Sequence, residues 1–179
     1  MSACPNERRS QRGFNVIELL VVVAIVLATA GVVVPVVSMK KLDDQWRRVD
    51  DDLQSIATAI NDFVVETRTF PTGHTGATNY HFLYSDGVRP RNNVFESGPA
   101  THVGKFLESG DLANDDWKGP YLDHGIGPDP WGNAYLVNVN GFYNSSERVL
   151  IVCAGPNGQV NTAPSATVAG GDDIVLVVD

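Results

Sequence analysis

The chain of 179 residues has few cysteines and no excess of positive charge. Its two cysteines, Cys4 and Cys153, are too few for the disulfide framework of a small secreted domain. Cys153 lies in an apolar run, so we expect a buried and unreactive thiol. The net charge of −8 argues against a protein that neutralises nucleic-acid phosphates over a broad face, and no nucleic-acid partner is expected.

Patterns typical of enzymes are also absent from the sequence. The four histidines do not have the spacing of metal ligands. Gly125-Ile126-Gly127 lacks the strand, turn and helix around it that a dinucleotide-binding loop needs, and neither a serine nor Cys153 stands in a known nucleophile motif. We therefore predict that the protein has no catalytic residues and is not an enzyme.

Charge is distributed unevenly along the chain. Arg8, Arg9 and Arg12 make the first 13 residues basic, and Glu18 is the only charged residue between positions 14 and 39. Residues 40–179 hold 19 acidic and 10 basic residues, a net charge of −9. A short basic head followed by an apolar stretch and an acidic body is typical of a membrane-anchored protein rather than a cytosolic enzyme.

The apolar stretch, residues 19–37, has Thr29 as its only polar side chain. As a helix its 19 residues are about 28 Å long, close to the hydrocarbon thickness of a bilayer. The preferred interpretation is a membrane-spanning helix whose basic N-terminus stays in the cytoplasm. An ordinary signal anchor, a cleaved secretory signal ending near Ala28-Thr29-Ala30 and a buried core helix are the alternatives.

Glu18 does not fit an ordinary anchor or signal. It lies one helical turn into the apolar sequence that begins at Phe14, where a carboxylate costs up to about 2.5–3.5 kcal/mol near the bilayer centre and less near its edge. A charge at such a position generally has a partner. An α-amino group, created by cleavage just upstream, would supply the cation that the apolar segment lacks.

The sequence Arg12-Gly13-Phe14-Asn15-Val16-Ile17-Glu18, followed by apolar residues, resembles the N-terminal signature of type IV pilins and type II secretion pseudopilins. The resemblance implies that a prepilin peptidase cleaves after Gly13 and methylates the new terminal Phe14. It also implies that Glu18, the fifth mature residue, pairs with the terminal amine of a neighbouring subunit. Gly13 has no Cβ, which lets a peptidase approach the scissile bond closely.

Pro35 is the twenty-second residue after the predicted cleavage site, a position where many members of this class have proline. Its ring removes one backbone donor and crowds the carbonyl of Gly31. We expect a kink or local melting there, which would let subunits pack along a filament.

Beyond the apolar stretch, a stripe at helical spacing predicts a continued helix to about Thr67, closed by Phe70-Pro71. The stripe consists of Leu42, Trp46, Val49, Leu53, Ile56, Ile60 and Phe63. We expect it to pack on the C-terminal half of the same chain, with a coiled coil as the alternative.

The rest of the chain predicts an α+β head. Residues 68–130 are rich in turn formers and indicate loops, with a short helix near 104–109. Residues 134–140, 148–153 and 174–178 have the pattern of three antiparallel strands that cover the helix, and Trp131 and Tyr135 are expected to be core anchors. The predicted architecture is pilin-like: a long N-terminal helix, its first half transmembrane, on a small antiparallel sheet with a loop-rich C-terminal region.

The predicted organisation has three parts, followed from the N-terminus. Residues 1–13 are a prepilin leader, residues 14–39 the transmembrane and filament-core helix, and residues 40–179 a periplasmic head. Within the head we expect a helix over 40–67, variable loops over 68–130, and the sheet with a C-terminal loop over 131–179.

Asp129-Pro130-Trp131-Gly132-Asn133-Ala134-Tyr135 resembles a DPWGNPY stretch of the type II secretion major pseudopilin, with Ala134 in place of its usual proline. Three further segments resemble the same family: Gly119-Pro120-Tyr121-Leu122, Phe70-Pro71-Thr72, and the two ends of a C-terminal loop at 154–158 and 170–174. Residues 74–118 show no such motif.

The resemblance implies that the C-terminal loop binds one calcium ion. Ca²⁺ takes six to eight oxygen ligands, and Asn157, Asp172 and Asp173 would supply side-chain oxygens from both ends of the loop. Two features depart from the family: Asn157 stands where the family often has aspartate, and the loop is longer than usual. A simple Asp-Asp turn before the last strand is the alternative.

The resemblance as a whole implies a structural subunit that forms a helical homo-oligomer, the type II secretion pseudopilus, which drives protein export across the outer membrane. Expected partners are the prepilin peptidase, the membrane, an inner-membrane assembly platform and minor pseudopilins. The expected location is the bacterial inner membrane, spanned once, with the head in the periplasm. A type IV pilin for adhesion, motility or DNA uptake is one alternative, and a membrane-anchored binding domain or enzyme using residues 74–130 is another.

Overall fold

The computed structural model describes residues 15–72, 79–92 and 98–178, without the side chains of residues 30–38. The predicted leader, Gly13 and Phe14 lie outside these residues, as does the side chain of Pro35. The processing site and the packing role of Pro35 therefore stay predictions.

Helix α1 (Val16–Thr67) is 52 residues long and remains helical through position 35. No glycine or proline interrupts the sequence from Lys40 to its end. Thr67 lies at the last turn and donates its hydroxyl to the carbonyl of Phe63 at 2.7 Å, while Arg68 adopts a left-handed φ of 53° that ends the helix. The predicted end of the helix near Thr67 is confirmed.

The chain divides into two compact units, which meet in sequence between Asp44 and Gln45. In the first unit, the large apolar side chains between Val16 and Leu27 are exposed. None of the helices, as far as their side chains are described, is apolar over a stretch long enough to cross a membrane. The predicted span of residues 19–37 includes positions 30–38, so single-pass anchoring stays a prediction.

The second unit contains a five-stranded mixed sheet. In chain order its strands are β1 (Phe82–Tyr84), β2 (Ala100–His102), β3 (Leu136–Asn138), β4 (Val149–Cys153) and β5 (Ile174–Val178). The spatial order is β2-β1-β3-β4-β5. All neighbouring pairs are antiparallel except β1 and β2, which are parallel. A short helix α2 (Gly104–Leu107) and a 3₁₀ turn (Asn140–Phe142) complete the unit.

The α+β, pilin-like fold is confirmed, while two details of the sheet differ from the prediction. Strands β3, β4 and β5 lie within or on the predicted segments, but β1 and β2 come from residues 68–130, which were predicted to be loops. Each has only three residues, too few for a two-residue alternation to stand out among turn-forming neighbours. Their parallel pairing makes the sheet mixed rather than purely antiparallel.

The core lies between the second half of α1 and one face of the sheet. Val49, Leu53, Ile56, Ile60 and Phe63 are buried together with sheet residues, whereas Leu42 and Trp46 at the start of the stripe are largely exposed. The other face of the sheet buries a second, smaller cluster that includes Phe82 and Leu150. The helical stripe therefore packs on the chain's own C-terminal half from Val49 onward, as predicted.

Candidate functional site

The start of helix α1 is capped by Asn15. Its side-chain oxygen accepts the backbone N–H of Ile17 at 3.3 Å, and its carbonyl accepts the N–H of Glu18 at 2.9 Å. This is the geometry of an N-cap, in which a side chain satisfies a donor that the helix leaves open. Glu18 lies in the first turn, where a carboxylate is favoured by the helix dipole, and it is exposed. The role of Asn15 was not predicted from the sequence.

The first turns of α1 present an apolar surface that the chain itself does not cover. The large apolar side chains between Val16 and Leu27 are 47–70% exposed. Thr29 satisfies its hydroxyl within the helix by donating to the carbonyls of Ile25 and Val26, each at 3.0 Å. An apolar surface of this kind is typical of a segment that is covered by a membrane or by other chains.

In the head, the carboxylate of Asp129 organises the turn 129–133. Asp129 is 3% exposed, and its Oδ1 accepts the backbone N–H groups of Trp131 at 2.9 Å and Asn133 at 2.8 Å. Its Oδ2 accepts the side-chain amide of Asn133 and the thiol of Cys153, both at 3.3 Å. Gly132 has a φ of 93°, which a side chain rarely adopts, so glycine suits the tight turn. The turn is fixed by a buried acceptor rather than by packing alone.

Cys153 is buried, as predicted from its apolar surroundings. Burial raises the pKa of its thiol, and the neighbouring Asp129 carboxylate raises that pKa further. The thiol therefore stays protonated and donates to Asp129, which is consistent with a structural rather than a reactive cysteine.

The turn also contacts helix α1. Arg48 donates to the carbonyl of Pro128 at 3.1 Å, and the Tyr135 hydroxyl donates to Asp52 Oδ2 at 2.7 Å. Burial, with the hydrogen bond to Asp52 as the second cause, raises the pKa of Tyr135, so the hydroxyl remains a donor. The Trp131 ring meets the Trp46 ring edge-on at 5.8 Å. The structure thus confirms Trp131 and Tyr135 as anchors between the turn and the helix.

The C-terminal loop, residues 154–173, brings two of the three predicted calcium ligands into contact. The backbone N–H of Asn157 donates to Asp172 Oδ2 at 3.0 Å, and its side-chain amide contacts Asp172 Oδ1. The same amide contacts Asn161 Oδ1 at 3.3 Å. Oxygens of Asp172 and Asn161 therefore converge on the Asn157 carboxamide.

The third predicted ligand, Asp173, is buried and is held by the middle of the loop. Its Oδ2 accepts the backbone N–H of Asn161 at 2.8 Å and both the N–H and the hydroxyl of Thr162 at 2.7 Å. Its Oδ1 is buried without a hydrogen-bond partner among the described atoms. A buried carboxylate oxygen with no donor is costly unless a cation or water satisfies it.

The donor chemistry of the loop fits a hard divalent cation. The side chains concerned offer carboxylate and amide oxygens, which are the ligands that Ca²⁺ prefers. Among the residues the structure describes, no cluster of three or more histidine, cysteine or acidic side chains could hold a metal. A cation here would depend on amide and backbone oxygens as well as on Asp172 and Asp173.

Asn161 and Thr162 are loop residues that sequence reasoning missed. They lie in the segment between Gly158 and Gly170, which the sequence marks only as an unusually long loop. Asn and Thr are common in loops of every kind, so their types alone do not single them out. Only the folded loop brings them to Asp173.

Comparisons with known proteins agree with the motifs. Residues 99–170 match the family model described as "Type II secretion system (T2SS), protein G". The type II secretion system core protein G of Escherichia coli (strain K12) is 23% identical over 157 residues, which cover 88% of this chain and 90% of that protein. No solved structure shows a significant match.

These matches confirm the resemblance that the motifs predicted. The family match includes residues 99–118, for which the sequence showed no family motif, and it ends two residues before Asp172.

Proposed function

We infer that this pseudopilin-like chain is a structural subunit of the type II secretion pseudopilus that polymerises into a helical filament. The family match over residues 99–170 is the observation that carries the proposal. The exposed apolar turns of α1 support it, because a filament core or a membrane would cover them.

The proposed assembly assigns a different role to each end of the chain. Prepilin peptidase cleaves after Gly13 and methylates Phe14, and Glu18 then pairs with the terminal amine of a neighbouring subunit. The head stays in the periplasm, while the inner-membrane assembly platform and minor pseudopilins direct growth of the filament. Movement of the filament drives export, so the chain itself needs no catalytic residue.

The processing step predicts the mass of the mature chain. Co-expression with a prepilin peptidase is expected to give an N-terminus at N-methylated Phe14, because the peptidase removes the basic leader. Intact-mass and N-terminal peptide spectrometry measure this directly. Expression without the peptidase is the control and should retain residues 1–13. An N-terminus at Met1 or Gly31 in the presence of the peptidase would contradict the proposed processing.

We further propose that the C-terminal loop binds one calcium ion through Asn157, Asp172 and Asp173, with Asn161 beside them. The unpartnered Oδ1 of Asp173 and the oxygens that converge on Asn157 support this proposal. When bound, the ion would neutralise the two adjacent carboxylates and join both ends of the loop. Closing a long loop in this way offsets the entropy lost when it becomes ordered.

Calcium is expected to raise the melting temperature of the full chain in detergent. Ligand at about 100 times its Kd stabilises by about 2.7 kcal/mol, which corresponds to about 5–11 °C for a protein of this size. Scanning calorimetry with calcium and with a chelator measures the shift. Asp172→Ala should lose it, whereas Asp123→Ala, an exposed aspartate outside the loop, should keep it. The same melting temperature with calcium and chelator would refute the site.

A further inference from the structure

We propose that Asn133 is a positioning residue for the calcium loop, which it holds so that Asn157 faces Asp172. The inference rests on the proposed calcium site. It concerns a side chain that would not touch the ion, in the turn 129–133.

The first step is that Asn133 is itself rigidly placed. Asp129 accepts both its backbone N–H, at 2.8 Å, and its side-chain amide, at 3.3 Å. The carbonyl of Asn133 accepts the N–H of Asp129 at 2.8 Å, and Ala134 continues into a backbone bond with Val88 at 2.9 Å. Both ends of the residue are therefore restrained before it contacts the loop.

The second step is that Asn133 contacts the segment 155–158 at both ends. Its amide donates to the carbonyl of Gly155 at 3.3 Å. Its Oδ1 lies against Gly158, where an added Cβ would be 3.0 Å from it. Gly155 and Gly158 both have positive φ values, 63° and 64°. Glycine is the residue that samples most conformations in the unfolded loop, so an external contact is needed to restrict it.

The third step is that the same segment faces the acidic end of the loop on its other side. A Cβ on Gly155 would meet the carbonyl of Asp172 at 2.3 Å, so the two backbones are in close contact. Asn157, between the two glycines, contacts the Asp172 carboxylate through its backbone and its amide. Asn133 and Asp172 thus hold the segment from two sides, and loss of Asn133 would leave Asn157 less well placed.

Calcium titration of the full chain in detergent, by isothermal calorimetry, tests the inference. Asn133→Ala is expected to weaken calcium binding about 10-fold or more, the usual loss when a residue that orients a metal ligand is removed. Asn114→Ala is the matched control. Asn114 also donates a side-chain amide to a backbone carbonyl, that of Thr67 at 3.0 Å, and it is likewise half-buried.

The control separates positioning from general destabilisation. Both variants should lower the melting temperature, and only Asn133→Ala should lower the affinity for calcium. Equal calcium affinity in wild type and Asn133→Ala overturns the inference and leaves the calcium site standing, as does an equal loss of affinity in both variants. A wild-type chain that binds no calcium overturns the calcium site and this inference together, and leaves the filament role untouched.

A second variant keeps the test decisive if Asn133→Ala fails to fold. Gly158→Ala places a methyl group against Asn133 Oδ1 and disturbs the same contact from the loop side. We expect it to bind calcium more weakly than wild type while circular dichroism shows the native spectrum. A folded Gly158→Ala chain with wild-type calcium affinity would overturn the inference.

Discussion

Glu18→Val is expected to leave the chain folded and membrane-inserted but to abolish filament assembly. Glu18 is exposed at the first turn of α1 and forms no ion pair with any described residue, so its removal costs the isolated subunit little. Valine also lowers the cost of inserting this turn into the bilayer. In the proposed filament, however, the substitution leaves the terminal amine of a neighbouring subunit without its partner. Breaking a buried ion pair in this way costs about 3–5 kcal/mol, or about a hundredfold or more in an association constant.

Sheared-filament fractionation and electron microscopy of cells with a reconstituted secretion system measure the effect. Asp43→Val is the control, since Asp43 is another exposed acidic residue on the same helix. It should assemble normally, and both variants should sediment with the membrane before assembly. Normal filaments from Glu18→Val would refute the pairing role.

Phe63→Ala is expected to destabilise the head by about 3–5 kcal/mol, the usual cost of truncating a buried aromatic side chain. Phe63 is 1% exposed and lies on the face of α1 that packs on the sheet. Its ring meets those of Phe106 and Tyr121 edge-on, each at 5.9 Å, so alanine leaves a cavity bounded by two aromatic rings. Urea denaturation of the full chain in detergent, followed by tryptophan fluorescence, measures the loss in the free energy of unfolding.

Val65→Ala is the matched control for this truncation. Val65 lies two residues further along the same helix but is 76% exposed, so its replacement should change the free energy of unfolding by less than about 0.5 kcal/mol. A loss below about 1 kcal/mol for Phe63→Ala would show that the stripe does not anchor the helix on the head.

The candidate site divides into parts that differ in how far sequence predicts them. Glu18 and the Asp129 turn stand out because their neighbours form a motif at fixed spacing. The ligands Asn157 and Asp172 were predicted from the two ends of one loop, and the structure brings them into contact. Asn15, Asn161, Thr162 and Asn133 were not assigned roles, because short polar residues in caps and loops are common everywhere.

The sequence by itself determined the long helix and the face that it buries. Val49 and Phe63 belong to a stripe whose spacing is set by the helix period, so local chemistry is sufficient to predict it. The same holds for β4 and β5, whose apolar runs are long enough to show a pattern.

Only the tertiary structure decided the parallel pairing of β1 with β2 and the contact between Asn133 and Gly155. These depend on residues far apart in sequence that meet after the core has formed. A three-residue strand or a single amide carries too little local information to predict its partner.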